Sequence, residues 1–304
     1  MAGLSANKPS LSILIPVKNE DISILVNALH LQCKKADLNY SIYIGDDASD
    51  AKFQHVFTEL SSHPKVFVLR NELPKGRSHN RNNLARNALA DFLLFIDADS
   101  RINEWYIANY IRLFEQKSVV IGGTLYAKNL PEKSKLLRWI YGRKREQKSA
   151  KERSIKPYSA LTANNMLLPK KVFELVQFDE TIRGYGHEDT LFGISLKNKY
   201  VPLIHTDNPV EHLGLETNNE FLAKTQEGIT TLVHLYKNKK LIDNEVSLIE
   251  YYKKLKIVGF FIFCSPFKNR LLRFAENKCQ SIESEKELFW FDLYKLLYLS
   301  VLLD

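Results

Sequence analysis

Between residues 11 and 126, short apolar runs alternate with stretches in which apolar positions recur three and four apart. Unbroken apolar runs suit strands covered on both faces, and three-four spacing suits helices lying on a sheet. The alternation therefore predicts βα units around a mostly parallel sheet. Five strands are expected, over 11–17, 40–45, 66–69, 92–96 and 119–125, with helices near 22–36, 51–61, 78–90 and 103–117. The fourth run, Phe92 to Ile96, has no charge and ends abruptly in Asp97-Ala98-Asp99. Residues 131–157 then break the rhythm with a basic stretch that includes Arg138, Arg143, Lys144, Arg145 and Arg153, interleaved with Leu137, Trp139 and Tyr141. A second α/β portion follows over about 158–214, and the chain reads as helical from Thr217 onward. The expected organisation is a domain over 1–216 carrying a basic insertion at 131–157, followed by a helical region over 217–304.

Composition leaves this picture intact. With 304 residues, 45% hydrophobic and 26% charged, the chain is an ordinary globular protein, long enough for one large domain and an appendage. A net charge of +8 favours anionic partners: nucleotides, phosphates, acidic glycans or anionic lipid surfaces. The basic insertion has three readings: a nucleic-acid strip, a solvated amphipathic helix given the interspersed Glu132, Glu146 and Glu152, or a lid over an anionic ligand. Cys33, Cys264 and Cys279 are odd in number and stand in no metal-ligand spacing, which argues against a disulfide framework or a zinc site and fits a reducing cytosol. The first residues lack a basic then apolar leader pattern, and no run reaches the ~18 apolar residues of a spanning helix. The protein is expected to remain on the side where it is made. Trp290, Tyr294 and Tyr298, in an apolar stretch with few charges, suit either a helix at a membrane interface or one packed in a core or against a twin subunit.

Chemistry collects where strands end. The first strand delivers Pro16, Val17, Lys18, Asn19 and Glu20; the second delivers Asp46, Asp47, Ser49 and Asp50; the fourth delivers Asp97 and Asp99. Each group has a plain structural reading. Asp47, Ser49 and Asp50 are good turn residues, Glu20 suits a helix first turn, and Asp99 or Ser100 can cap a helix starting near Asn103. Three such clusters on one edge of one sheet are instead what an open sheet presents at its ligand crevice. Paired carboxylates there call for a cation or hydrogen-bond donors. Pro74 to Asn83, which contains Lys75, Arg77 and Arg81, is a basic loop entering a helix. It can hold a diphosphate, or it can be a helix capped by Ser78 or Asn80 with its arginines in solvent. Gly184-Tyr185-Gly186-His187-Glu188-Asp189 places two carboxylates in a helix first turn behind two glycines, where a carboxylate can take a proton from a bound hydroxyl. His212 follows a strand-like stretch and is either structural or the partner of Asp99 in a metal site.

In this order and spacing, the pieces resemble glycosyltransferase family 2, over about residues 10–214. They are Ile13 to Glu20, Gly45 to Asp50, Arg81-Asn82, Asp97-Ala98-Asp99 and the Gly184 to Asp189 segment. The last segment is similar to the glycine-flanked Glu-Asp motif of the chondroitin-polymerase and galactosyltransferase-like branch. The resemblance implies a GT-A (Rossmann-like) fold with a mostly parallel sheet flanked by helices, here carrying a C-terminal helical extension. It implies inverting transfer of a hexosyl or N-acetylhexosaminyl group from a nucleotide-diphosphate sugar, with UDP expected, to a glycan or lipid-linked acceptor in surface-polysaccharide synthesis. By the same resemblance, Pro16, Val17, Glu20, Asp46 and Arg81 surround the nucleoside, and Asp97 approaches the ribose and sugar. Asp99 and His212 bind Mn2+ or Mg2+, Asp189 is the base, and Glu188 holds a hydroxyl, with exchange between the last two left open. No nucleic-acid partner is implied. Peripheral membrane contact through the C-terminal helices, at the inner face, and an oligomer are compatible with it.

Two other classes compete. A nucleotide-sugar nucleotidyltransferase would want a glycine-rich loop after the first strand, and Pro16 to Glu20 contains no glycine. A non-catalytic module using the basic stretch to bind nucleic acid or anionic lipid would be opposed by the acidic clusters, which repel polyanions.

Overall fold

The computed structural model describes residues 9–303 except 115, 183, 243 and 244, with backbone only at 262, 263 and 265. Arg183, just before the glycine-bordered motif, lies outside the described residues. Ten strands are assigned among them: β1 (Leu11–Val17), β2 (Tyr40–Asp46), β3 (Val66–Arg70), β4 (Phe92–Ile96), β5 (Ser100–Arg101), β6 (Val119–Ile121), β7 (Thr124–Leu125), β8 (Asn165–Pro169), β9 (Leu203–His205) and β10 (Val210–His212). The larger sheet has seven strands in the order β3-β2-β1-β4-β8-β6-β9. Its pairings are parallel except around β8, which runs antiparallel to both β4 and β6. Helices α1 (Ser23–Lys35), α2 (Gln54–Leu60), α3 (Arg77–Asn87) and α4 (Tyr106–Ile111) follow strands, as βα units require.

The apolar runs do what their composition dictates. Leu11, Ile13, Leu14, Ile15, Leu93, Leu94, Phe95 and Ile96 are all fully buried, because both faces of the sheet are covered by helices. The strand expected over 119–125 is two strands in two sheets, since β7 joins a three-stranded sheet in the order β5-β10-β7. The break lies at Gly122-Gly123. Gly123 has φ +92, and the Arg153 guanidinium Nη2 would stand only 2.7 Å from a Cβ there. The helix expected over 103–117 is short, and the residues after Asp99 form β5. Neither Asp99 nor Ser100 caps it; its N-cap position is Trp105, whose N–H is held by Asn103 Oδ1.

The chain divides into two compact units, one of Met1–Leu125, Lys148–Arg183 and Glu188–Leu213, the other of Tyr126–Gln147, Gly184–His187 and Gly214–Asp304. The first contains both sheets together with α6 (Ala150–Arg153), α7 (Lys170–Leu175) and α8 (Glu188–Asn198). The second is helical: α5 (Leu136–Tyr141), α9 (Asn218–Lys237), α10 (Ser247–Ile257), α11 (Phe260–Cys264), α12 (Lys268–Gln280) and α13 (Leu288–Leu303). Thr217 starts α9 with a reciprocal capping box to Glu220. Leu137, Phe221, Leu222, Ala275, Phe291 and Tyr294 form the core of this unit. Tyr294 is fully buried and its hydroxyl accepts from Gln226, so that face of α13 is core and not a seat at a membrane interface. Among the described residues no helix is long and apolar enough to cross a membrane. Cys33, Cys264 and Cys279 are free and buried.

The basic segment is not one solvated helix. Arg138 is buried within the second unit, paired with Glu146 at 3.0 Å and Glu216 at 3.1 Å. Arg153 is buried within the first unit, where it donates to the carbonyls of Ile121, Gly122, Thr206 and Lys148.

Candidate active site

The carboxyl ends of β1, β2 and β4 and the start of α8 bring most of the expected residues together within the first unit. Arg81 projects from α3 and is 3% exposed, so the reading that leaves it in solvent fails. Its Nη2 donates to Asp97 Oδ1 at 3.0 Å, and its Nη1 stands 3.7 Å from Glu188 Oε1. Arg77, half exposed, approaches the same Glu188 oxygen at 3.7 Å. Burial opposes the Arg81 charge, but Asp97, Asp189 and Glu188 outweigh it and hold the guanidinium firmly protonated. Three acids from distant parts of the chain thus act on one buried cation, Asp97 and Glu188 among them at ion-pair distance.

Asp189, next to Glu188 in the first turn of α8, is differently placed. Its Oδ2 accepts the Ala163 N–H at 2.9 Å, while its Oδ1 is shut off from water without a partner. Burial raises its carboxyl to about 6, with Glu188 and Asp97 adding to the rise and Arg81 and the Ala163 amide opposing it. A carboxylate so placed is a better proton acceptor than an ordinary aspartate. The residues before it turn sharply, Gly186 with φ +90 and His187 with φ +69.

At the end of β2, Asp46 is fully buried. Its Oδ1 accepts the Ser49 N–H at 2.8 Å; its Oδ2 has no hydrogen-bond partner and lies 3.5 Å from Arg70 Nε. Asp47 ties the basic loop down by accepting from the amides of Lys75 and Gly76 and from Asn71. α3 starts at Arg77 behind Gly76, whose φ is +88, without a side-chain cap. The expected caps are used otherwise: Asn80 donates to the Gly45 carbonyl, and the Ser78 hydroxyl is buried without a partner. Pro16 and Val17 close β1, where the Val17 carbonyl accepts the Asp47 N–H at 2.9 Å. Glu20 lies before α1, not in its first turn, and its carboxyl is raised by burial and then by Asp99 and Asp21.

Asp99 Oδ2 and His212 Nδ1 are 3.3 Å apart, brought together by the antiparallel pairing of His212 in β10 with Ser100 in β5. The Asp99 carbonyl also accepts the Leu213 N–H at 2.8 Å. Among the described residues no three His, Cys, Asp or Glu side chains form a ready-made metal cage. One carboxylate and one imidazole do fit a divalent ion that takes its other ligands from substrate phosphate and water, and the repulsion between the Asp99 and Glu20 carboxylates favours such a cation.

The pattern along the chain did not single out the residues that lock this edge. Asn165, fully buried, donates to the carbonyls of Gly123 and Asn208 and accepts from the hydroxyls of Tyr106 and Tyr110. Asn208 in turn donates to the Tyr106 carbonyl. These bonds fasten the crossings from β6 to β7 and from β9 to β10, and so the strand that carries His212. Buried asparagines outside a recognisable motif give no sequence signal beyond their polarity.

Comparison with known proteins bears on the fold and the family. A mannosyltransferase from Pyrobaculum calidifontis, solved with GDP-Man and Mn2+, superposes with a TM-score of 0.62 over 97% of this chain and 87% of its own, at 14% identity. That likeness is one of fold, and the sheet is of the GT-A type. The uncharacterized glycosyltransferase YfnE of Bacillus subtilis (strain 168) is 25% identical over 234 residues, 61% of this chain, and the match spans only 59% of that relative's length. The profile described as glycosyl transferase family 2 matches residues 12–174. More than half of the chain, including the strands that deliver Asp46, Asp97 and Asp99, lies within that match, and the protein belongs to glycosyltransferase family 2.

Proposed function

We propose that this glycosyltransferase moves a hexosyl or N-acetylhexosaminyl group from a UDP-sugar to a hydroxyl of a glycan or lipid-linked acceptor, with inversion, and depends on Mn2+ or Mg2+. The reading is supported by two clusters that Asp97-Ala98-Asp99 joins at the end of β4: a carboxylate–imidazole pair, and a desolvated aspartate beside acids that approach Arg81. Asp189 Oδ1 and Glu188 Oε2 are both buried without a hydrogen-bond partner, and Asp189 is assigned as the base because burial raises its carboxyl to about 6 while two arginines approach Glu188. The acceptor oxygen bonds to the anomeric carbon as its proton passes to Asp189, and the bond to the diphosphate breaks with its electron pair leaving on phosphate oxygen. Asp99 and His212 would hold the divalent ion, which when bound supplies positive charge for the departing diphosphate. Arg81 pairs with Asp97 and stands beside Glu188, and so fixes both side chains. The Asp46 oxygen that lacks a hydrogen-bond partner suits the imide N–H of uracil, with Pro16, Val17 and Glu20 around the nucleoside.

The Gly184 to Asp189 segment supports the chondroitin-polymerase and galactosyltransferase-like branch. Contact with an anionic membrane face on the cytoplasmic side is supported by Arg270, Arg273, Phe274 and Lys278, which lie exposed at helical spacing along α12. The test is a panel of UDP-glucose, UDP-galactose, their N-acetylamino forms and GDP-mannose, each assayed for hydrolysis and thermal stabilisation with and without Mn2+. Mn2+-dependent turnover of one UDP-sugar is expected; no stabilisation or turnover with any of them would remove the proposal.

A further inference from the structure

The tripeptide Ala163-Asn164-Asn165 runs between the two acidic parts of the site. The Ala163 N–H holds Asp189 Oδ2, and the Asn164 carbonyl accepts the Asp97 N–H at 3.2 Å. The Asn164 backbone therefore lies between the Asp189 carboxylate, held by the preceding amide, and the backbone of Asp97, which follows β4. Its side chain is fixed as well, since Nδ2 donates to Thr124 Oγ1 at 2.9 Å. Thr124 is itself held by the parallel pairing of β7 with β10. The other end of the amide, Oδ1, is shut off from water and has no hydrogen-bond partner. Leaving an amide oxygen unpaired in a buried position is unfavourable, and a ligand donor removes that cost.

We propose that Asn164 is a specificity residue whose Oδ1 accepts a hydrogen bond from a hydroxyl of the transferred sugar, which deepens the function proposed above and rests on it. The chemistry of the missing partner is restricted. With Oδ1 at the free end, the partner must donate a proton, which excludes an unprotonated phosphate oxygen. If the amide is turned so that Thr124 donates to Oδ1, the free end becomes a donor, and a hydroxyl satisfies that arrangement too. The backbone contacts of Ala163 with Asp189 and of Asn164 with Asp97 favour the sugar over the ribose, because the base must stand beside the carbon at which substitution occurs. Thr124 acts through Asn164 and is a positioning residue.

The test takes the most rapidly used nucleotide sugar of the panel and its deoxy analogues at C2, C3, C4 and C6, with wild type, Asn164→Ala and Thr124→Val. Wild type should lose about ten- to a hundredfold in kcat/KM for one deoxy analogue, and Asn164→Ala should lose that preference while using the intact donor about ten- to a hundredfold more slowly. Thr124→Val should move in the same direction by a smaller factor. Binding of UDP alone should change less than twofold in both variants, which also reports that they fold. If Asn164→Ala keeps the full preference against every analogue, or if UDP alone binds as much more weakly as the donor does, the inference is overturned while the transferase reading stands. If wild type uses no nucleotide sugar, that reading fails first and takes this one with it.

Discussion

Replacing Asp189 with asparagine should make the protein more stable above pH 6 and nearly inactive. In the fold the carboxyl is raised by burial from the ordinary 3.8 to about 6, and its Oδ1 has no partner. A carboxyl raised on folding favours the folded state below the unfolded value, and that contribution is lost as pH climbs through the folded one. Across the interval from 3.8 to about 6, at about 1.4 kcal/mol per pH unit, the loss amounts to about 3 kcal/mol. Asparagine can still accept the Ala163 N–H, carries no charge and should escape the loss. Urea unfolding of both proteins without metal or donor, at half-unit steps from pH 4 to 8, measures the difference. The stability gap should open between pH 4 and 6 and level off near 3 kcal/mol, while transfer at pH 7.5 falls about 10²- to 10⁴-fold. In wild type, kcat/KM should rise with pH through about 6. A stability gap that is absent or independent of pH would refute the burial argument, and retained transfer would refute the role of Asp189.

Arg81→Leu strips the shared cation from Asp97 and Glu188 and should cost about 3–5 kcal/mol, read as a lowered urea midpoint at pH 7; an unchanged midpoint would mean that the acids do not depend on it. Gly123→Ala forces a side chain into φ +92 and to 2.7 Å from Arg153, so it should destabilise by about 1–3 kcal/mol and weaken Mn2+ binding through the β10 strand that this crossing positions. Calorimetric Mn2+ titration of that variant checks the second effect, and an affinity equal to wild type would detach His212 from the crossing.

β1 and β4 can be read from the sequence to the residue, because uncharged runs with abrupt polar ends admit little else. The βα order and the first-turn placement of Glu188 and Asp189 follow from equally local signals. The splitting of 119–125 does not, since it depends on a guanidinium from Arg153, a residue that by its neighbours belongs to a solvated basic stretch. The same holds for Arg138, whose carboxylate Glu216 comes from far along the chain. A charge pattern cannot show which cations have remote partners waiting for them. Within the site, sequence marks residues whose type is chemically unusual at a strand end, such as Asp99. Asn164 and Asn165 matter through what they leave unpaired or fasten, which emerges only when the chain is folded.

The most direct measurement is Mn2+ binding with UDP present, by calorimetry or by the loss of free Mn2+ signal in electron paramagnetic resonance, for wild type, Asp99→Asn and His212→Ala. Wild type should bind one ion per chain, and each variant should bind it at least about tenfold more weakly, with UDP binding losing its dependence on the metal. Full Mn2+ affinity in both variants would contradict the claim that Asp99 and His212, 3.3 Å apart, form the protein's share of the metal site.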